Sequence, residues 1–78
     1  MKFFYGIQVK YRFKEFTEEQ CTVLRKIYAT ESEAVGDLSK AIEGMIQRNL
    51  DKVNRGKSIA TIDPVTIKTT VLDFRFEE

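Results

Sequence analysis

Apolar and polar residues alternate along the first stretch of the chain with a single fault. Phe3, Tyr5, Ile7, Val9, Tyr11 and Phe13 take the odd positions. Lys2, Gly6, Gln8, Lys10, Arg12 and Lys14 take the even ones, and Phe4 is the exception. A period of two puts successive side chains on opposite faces of an extended chain. The pattern therefore predicts a strand over residues 2–14, with one face against a core and the other left open.

Residues 15–20, Glu15-Phe16-Thr17-Glu18-Glu19-Gln20, are mostly polar and acidic. With no Gly or Asn-Gly to make a two-residue turn, they read as a longer hairpin loop. Phe16 is expected to fold back onto the end of the sheet rather than act as a partner hot spot, and Glu15, Glu18 and Glu19 to form a solvated tip. A second strand is expected over residues 21–29. Cys21, Val23, Ile27 and Ala29 are its expected inner face, and Thr22, Leu24, Lys26 and Tyr28 its outer face. Arg25 interrupts the inner set, either by carrying its head out to water or by marking a bulge.

The period then changes. Thr30 followed by Glu33 makes a capping box, and Ala34, Val35, Leu38, Ala41, Ile42, Met45, Ile46, Leu50 and Val53 recur at helical spacing. Acidic Glu31, Glu33 and Asp37 stand near the start and basic Arg48, Lys52, Arg55 and Lys57 near or past the end, as the helix dipole favours. Gly56 is the expected residue just past the C-terminus. Gly36 and Gly44 are unfavourable inside a helix by about 1 kcal/mol each against alanine, and are expected to be tolerated rather than to mark a close backbone approach. A single helix of about 22 residues spans about 33 Å, close to the roughly 37 Å of an eleven-residue strand.

A third strand is expected over residues 65–76, with Pro64 at or before its start because proline cannot donate to a ladder. Val65, Ile67, Thr69 and Val71 alternate, and then Leu72, Phe74 and Phe76 continue on the other parity. Either a bulge near Val71-Leu72 switches faces, or this end of the strand is apolar on both sides. The helix carries the chain back across the sheet, so the third strand can lie beside the first. The expected fold is α+β: a single β-β-α-β domain over residues 1–78, a three-stranded antiparallel sheet in the order 2-1-3, and one long helix on one face.

Composition narrows the chemistry. The chain has no histidine and one cysteine, so the commonest general base and metal ligand is missing and no internal disulfide can form. Cys21 is expected to be buried and inert. The acids are scattered, which argues against a metal site, and the four glycines are isolated, so no phosphate loop is present. The expectation is a protein that is not an enzyme and takes no cofactor or metal. A net charge of +1 does not single out nucleic acid. No apolar run is long enough to span a bilayer, and Met1-Lys2-Phe3-Phe4 does not begin a signal peptide. A soluble, cytoplasmic protein with no membrane partner is expected.

Function then turns on the open face of the sheet. Lys10, Arg12, Lys14, Lys26, Tyr28 and Lys68 would form a basic face with interleaved rings, the chemistry of single-strand nucleic-acid binders. Phe4, Leu24, Leu72, Phe74 and Phe76 would form an apolar patch suited to dimerisation or to a protein partner. The leading expectation is a small, homodimeric protein-interaction module that binds another protein through the surface or an edge of the sheet. Its motif-free, Lys- and Glu-rich make-up is compatible with a phage or prophage accessory or inhibitor protein that occludes a partner. A nucleic-acid-binding protein is the alternative.

Overall fold

The computed structural model describes residues 2–76, and the side chains of residues 3–75. The elements in chain order are β1 (Lys2–Phe13), β2 (Glu19–Val23), α1 (Glu31–Gly36), α2 (Leu38–Asn54) and β3 (Ile62–Phe76). The sheet has the order β2-β1-β3, and both pairings are antiparallel. The fold is the expected α+β arrangement with β1 in the middle. It is elongated: its radius of gyration is 14.3 Å, against about 11–12 Å for a compact chain of this length.

The alternation of β1 becomes the two faces of the sheet. Ile7 and Val9 are wholly buried and join Tyr28, Ala34, Met45 and Ile62 in the core, with Tyr5, Tyr11 and Phe13 packed around them. Thr30 caps α1 by accepting the Glu33 N–H at 3.2 Å. Gly56, at φ 71°, closes α2: its N–H donates to Val53 O and that of Lys57 to Lys52 O. These are the two bonds of a Schellman cap.

The single expected helix is two helices. The Asp37 N–H turns back to Ala34 O and Val35 O and ends α1 after Gly36. Asp37 then stands as the N-cap of α2, but its side chain makes no capping bond. Its carboxylate instead accepts from the Tyr28 hydroxyl and from Lys26 Nζ. A cap diverted to the sheet, directly after a poor helix former, accounts for the break. No backbone lies close to Gly36 or Gly44, so both are tolerated helical glycines. The close approach is at Gly6, where an added Cβ would meet Phe74 Cε2 at 2.9 Å.

The second strand departs most from expectation. Val9 pairs with Thr22 and Tyr11 with Gln20, so the even positions of β2 face the helices. Leu24 continues this set and Tyr28 completes it, while Cys21, Val23 and Ile27 are exposed. The ladder breaks after Leu24, whose N–H still reaches Ile7 O. Tyr28 rejoins with two backbone bonds to Tyr5, at 2.8 and 2.9 Å. Arg25, Lys26 and Ile27 therefore bulge out of the sheet. The larger Leu24 and Tyr28 side chains fill the core, and the smaller Cys21 and Val23 are turned outward.

β3 starts earlier than expected, at Ile62, and takes Pro64 inside it. As an edge strand it can accept a proline whose missing N–H faces outward. Its register with β1 is unbroken from Lys2↔Phe76 to Lys10↔Lys68, so no bulge lies near Val71-Leu72. The shift comes between Lys10 and Arg12, where Arg12 pairs with Asp63. The chain loops out over Pro64-Val65-Thr66, leaving Val65 91% exposed. Thr66 Oγ1 stitches the loop by accepting the Arg12 N–H at 2.9 Å and donating to Asp63 O. The two parities of β3 are thus its two faces, with Val71 inward and Leu72 and Phe74 on the open side.

Asn49 ties α2 to the start of β3. It is buried, donates Nδ2–H to Ala60 O at 3.0 Å and accepts the Ile62 N–H on Oδ1 at 3.0 Å. Its amide pairs with the extended chain as a neighbouring peptide would. Beside it, the Lys14 N–H donates to Thr61 O, and the Thr61 N–H donates to the Glu15 carboxylate, which holds that carboxyl below its usual range.

Candidate interaction surface

The register sorts the open face into two unlike ends. At one end Phe4 faces Phe74, Gly6 faces Leu72, and Val23 of β2 stands opposite Gln8. The Phe74 ring lies over Gly6 because that residue has no side chain. Bulged Ile27 joins this end, and Phe4, Gly6, Phe74 and the whole stretch 23–27, with Arg25 and Lys26 in it, line a shallow depression of about 210 Å³. Phe74, Val23 and Ile27 are 38%, 45% and 62% exposed. At the other end Lys10 lies between Cys21 and Lys68, and Arg12 between Glu19 and Asp63.

The expected basic face is therefore divided. Lys10 and Lys68 are brought together, and Arg12 is beside them but flanked by two acids. Lys14 lies past the end of β1, in the turn bonded to Thr61. Lys26 is on the helix side of the sheet edge, 3.3 Å from Asp37 Oδ2 and 5.1 Å from the centre of the Tyr28 ring. Tyr28 is not on the open face at all. It is core, and burial first, then the Asp37 carboxylate, push its hydroxyl up to about 12. Both corrections follow from the inverted parity of β2.

The expected apolar patch survives in part. Phe4, Leu72 and Phe74 share one end of the open face. Leu24 packs against the core, because β2 is inverted, and also lines the depression beside Phe4 and Phe74. The side chain of Phe76 lies outside the described residues. Val23 and Ile27 were not expected in the patch and line the depression as well. Phe16 is half exposed and rests edge-on against Phe13, with ring centres 6.1 Å apart.

A second feature had no counterpart in the expected surface. α2 packs toward β3, and a groove of about 800 Å³ opens between α2 and the β2 edge. Arg25 and Lys26 line its sheet side, Lys40 and Arg48 its helix side, and Ala41 and Gly44 lie between. The one acid in the lining is Asp37, held below the usual carboxylate range first by the Tyr28 hydroxyl and then by Lys26. The spacing of Lys40, Gly44 and Arg48, four residues apart, is the signal in the sequence that these share one helix flank.

Among the described residues no three His, Cys, Asp or Glu side chains come together as a metal site, and no helix is long and apolar enough to cross a membrane. Compared with protein-family models, with curated proteins and with solved structures, the chain matches none.

Proposed function

We propose that the chain is a small, non-enzymatic protein-interaction module that pairs with a second copy through the apolar end of its open sheet face. The observation that carries this reading is the uncovered cluster of Phe74, Val23 and Ile27 beside Phe4 and Leu72. No element of the fold covers that face among the described residues. Ile7 and Val9 are the largest side chains that are fully buried. A core this thin nets only about 3–5 kcal/mol in a domain of this size, so burying the patch between two copies is a substantial gain. A reducing, cytoplasmic setting is part of the reading, since it keeps an exposed lone thiol such as Cys21 reduced.

The nucleic-acid alternative has lost support from geometry. Its six residues are divided among the open face, the hairpin turn, the sheet edge and the core. Light scattering across a concentration series tests the proposal, with Phe74→Lys and, separately, Ile27→Lys. Ile27 protrudes from a bulge, so its replacement leaves the fold undisturbed. The wild type should be dimeric at micromolar concentration and both variants monomeric. A wild type that stays monomeric throughout the series would overturn the proposal.

A further inference from the structure

The groove between β2 and α2 shares residues 23–26 with the apolar depression but has α2 as its far wall, and two of its properties point to one kind of occupant. The first is a free backbone edge. Leu24 donates to Ile7 O, and hydrogen-bonded pairs alternate along an antiparallel ladder. Leu24, Thr22 and Gln20 therefore spend their backbone groups on β1. Glu19, Cys21 and Val23 turn theirs outward, and no strand among the described residues meets them.

The second property is charge. Arg25, Lys40 and Arg48 form no ion pair among the described residues, and Asp37 is already engaged by Lys26 and Tyr28. The groove is thus strongly positive in a chain whose net charge is only +1. Nothing but the Arg48 guanidinium stands near Gly44, so the helix wall between the cations is bare.

We propose that this groove takes an extended acidic segment of a partner protein, added as a fourth strand along β2. A single nucleic-acid strand would satisfy the charge, but it needs exposed rings on which to stack. The one ring in the lining, Tyr28, is buried. A nucleic acid would also leave the outward N–H groups of β2 unused, whereas a peptide strand pairs with them. The spacing of the cations sets the register. Lys40 and Arg48 are eight helical residues apart, about 12 Å along α2. In an extended peptide, four residues cover about 13 Å and return to the same face. The segment therefore carries acids at i and i+4, on the face turned toward α2. The inference rests on the chain being a protein-binding module but not on the pairing of two copies.

Fluorescence anisotropy with a labelled peptide of alternating Glu and Val tests it. The peptide should bind, with affinity falling steeply as salt rises, and the doubly reversed Lys40→Glu, Arg48→Glu variant should weaken it by about tenfold or more. Both residues lie on an exposed helix flank, and circular dichroism checks that the variant is folded. The same peptide N-methylated at alternate residues keeps its charge but cannot add to an edge, and should not bind. Phe74→Lys should bind the peptide as the wild type does, which separates this result from the fate of the dimer. Unchanged affinity on charge reversal, equal binding of the N-methylated peptide, or tighter binding of oligothymidylate than of the peptide would each overturn the proposal.

Discussion

The two edges of the sheet are built on opposite plans. β3 has 15 residues and holds an unbroken register with β1 from Lys2↔Phe76 to Lys10↔Lys68. α2 packs toward it, and Asn49 joins the helix to its first residue. β2 has 5 residues, loses its ladder after Leu24 and returns through one bridge at Tyr28. A groove separates it from α2. The β3 side is closed by helix packing and the Asn49 clamp; β2 is held by a short ladder with β1, by Leu24 and by Tyr28 with its partners. Segments with few buried contacts are the ones free to pair with something else, and both proposed binding surfaces draw on the β2 side.

The sharpest way to break this contrast is to unseal the β3 edge. Asn49→Ala removes the amide that pairs with Ala60 and Ile62, leaving the buried Ile62 N–H without its partner and the Ala60 carbonyl with the Ser58 hydroxyl alone. An orphaned buried N–H costs about 1–3 kcal/mol, so the loss should be about 2 kcal/mol and take a large share of the stability of so small a domain. Urea unfolding followed by circular dichroism checks it. A loss well under 1 kcal/mol would mean that the β3 edge is not sealed by this clamp.

A smaller effect is expected at Gly6, where β3 closes over β1. Alanine there would place Cβ 2.9 Å from the Phe74 ring. The ring must swing off the strand, and we expect a loss of about 1 kcal/mol together with weakened self-association. On the β2 side the same kind of substitution should do the reverse. Gly44→Ala meets only the flexible end of Arg48, at 3.2 Å, so helix propensity decides and the protein should gain about 0.5–1 kcal/mol. Opposite signs at two glycines, read by the same urea titration, would sharpen the distinction between a closed edge and an open one.

The same contrast explains what could be read from the sequence. β1 was legible because only one parity is apolar, and the ends of the helical region were legible because Thr30 and Gly56 satisfy local rules that need no tertiary context. The central place of β1 followed from the helix crossover, and its clean alternation agrees with it. β2 was not legible, because both of its parities carry apolar side chains. Cys21, Val23 and Ile27 compete with Leu24 and Tyr28, and three bulged residues decouple one half of the set from the other. The break at Asp37 was hidden for a related reason. An aspartate after a glycine inside a periodic stripe reads as a tolerated helical residue until its carboxylate is seen to serve Tyr28. Phe4, Leu72 and Phe74 were placed correctly, since β1 and β3 fix them. Tyr28 and Lys26 were not, and Leu24 only in part, since they depend on β2. The groove cations come from two elements, and only the register of the shorter one brings them together.

The smallest expected effect probes the side-chain tie that holds the β2 edge. Tyr28 and Asp37 titrate in opposite directions from their usual values, and each contributes to an arm of the stability profile, Asp37 beside Glu15 on the acid side. Asp37 has a lowered pKa in the folded protein, first because of the Tyr28 hydroxyl and then because of Lys26. The unfolded chain takes up its proton first as pH falls through about 4. The contribution is therefore complete above that range and is lost as pH drops through the depressed folded value. Tyr28 has a raised pKa, about 12 against the usual 10.0, from burial first and the Asp37 carboxylate second. The unfolded chain releases that proton first, so this contribution is complete below about 10 and is lost as pH rises toward 12. Tyr28→Phe removes the hydroxyl and should flatten both arms of the profile while leaving the neutral-pH fold intact. It should also abolish the late phenolic transition in an ultraviolet absorbance titration. Superimposable wild-type and Tyr28→Phe profiles would mean that the β2 edge is held by its backbone pairing with β1 and not by the Tyr28 hydroxyl.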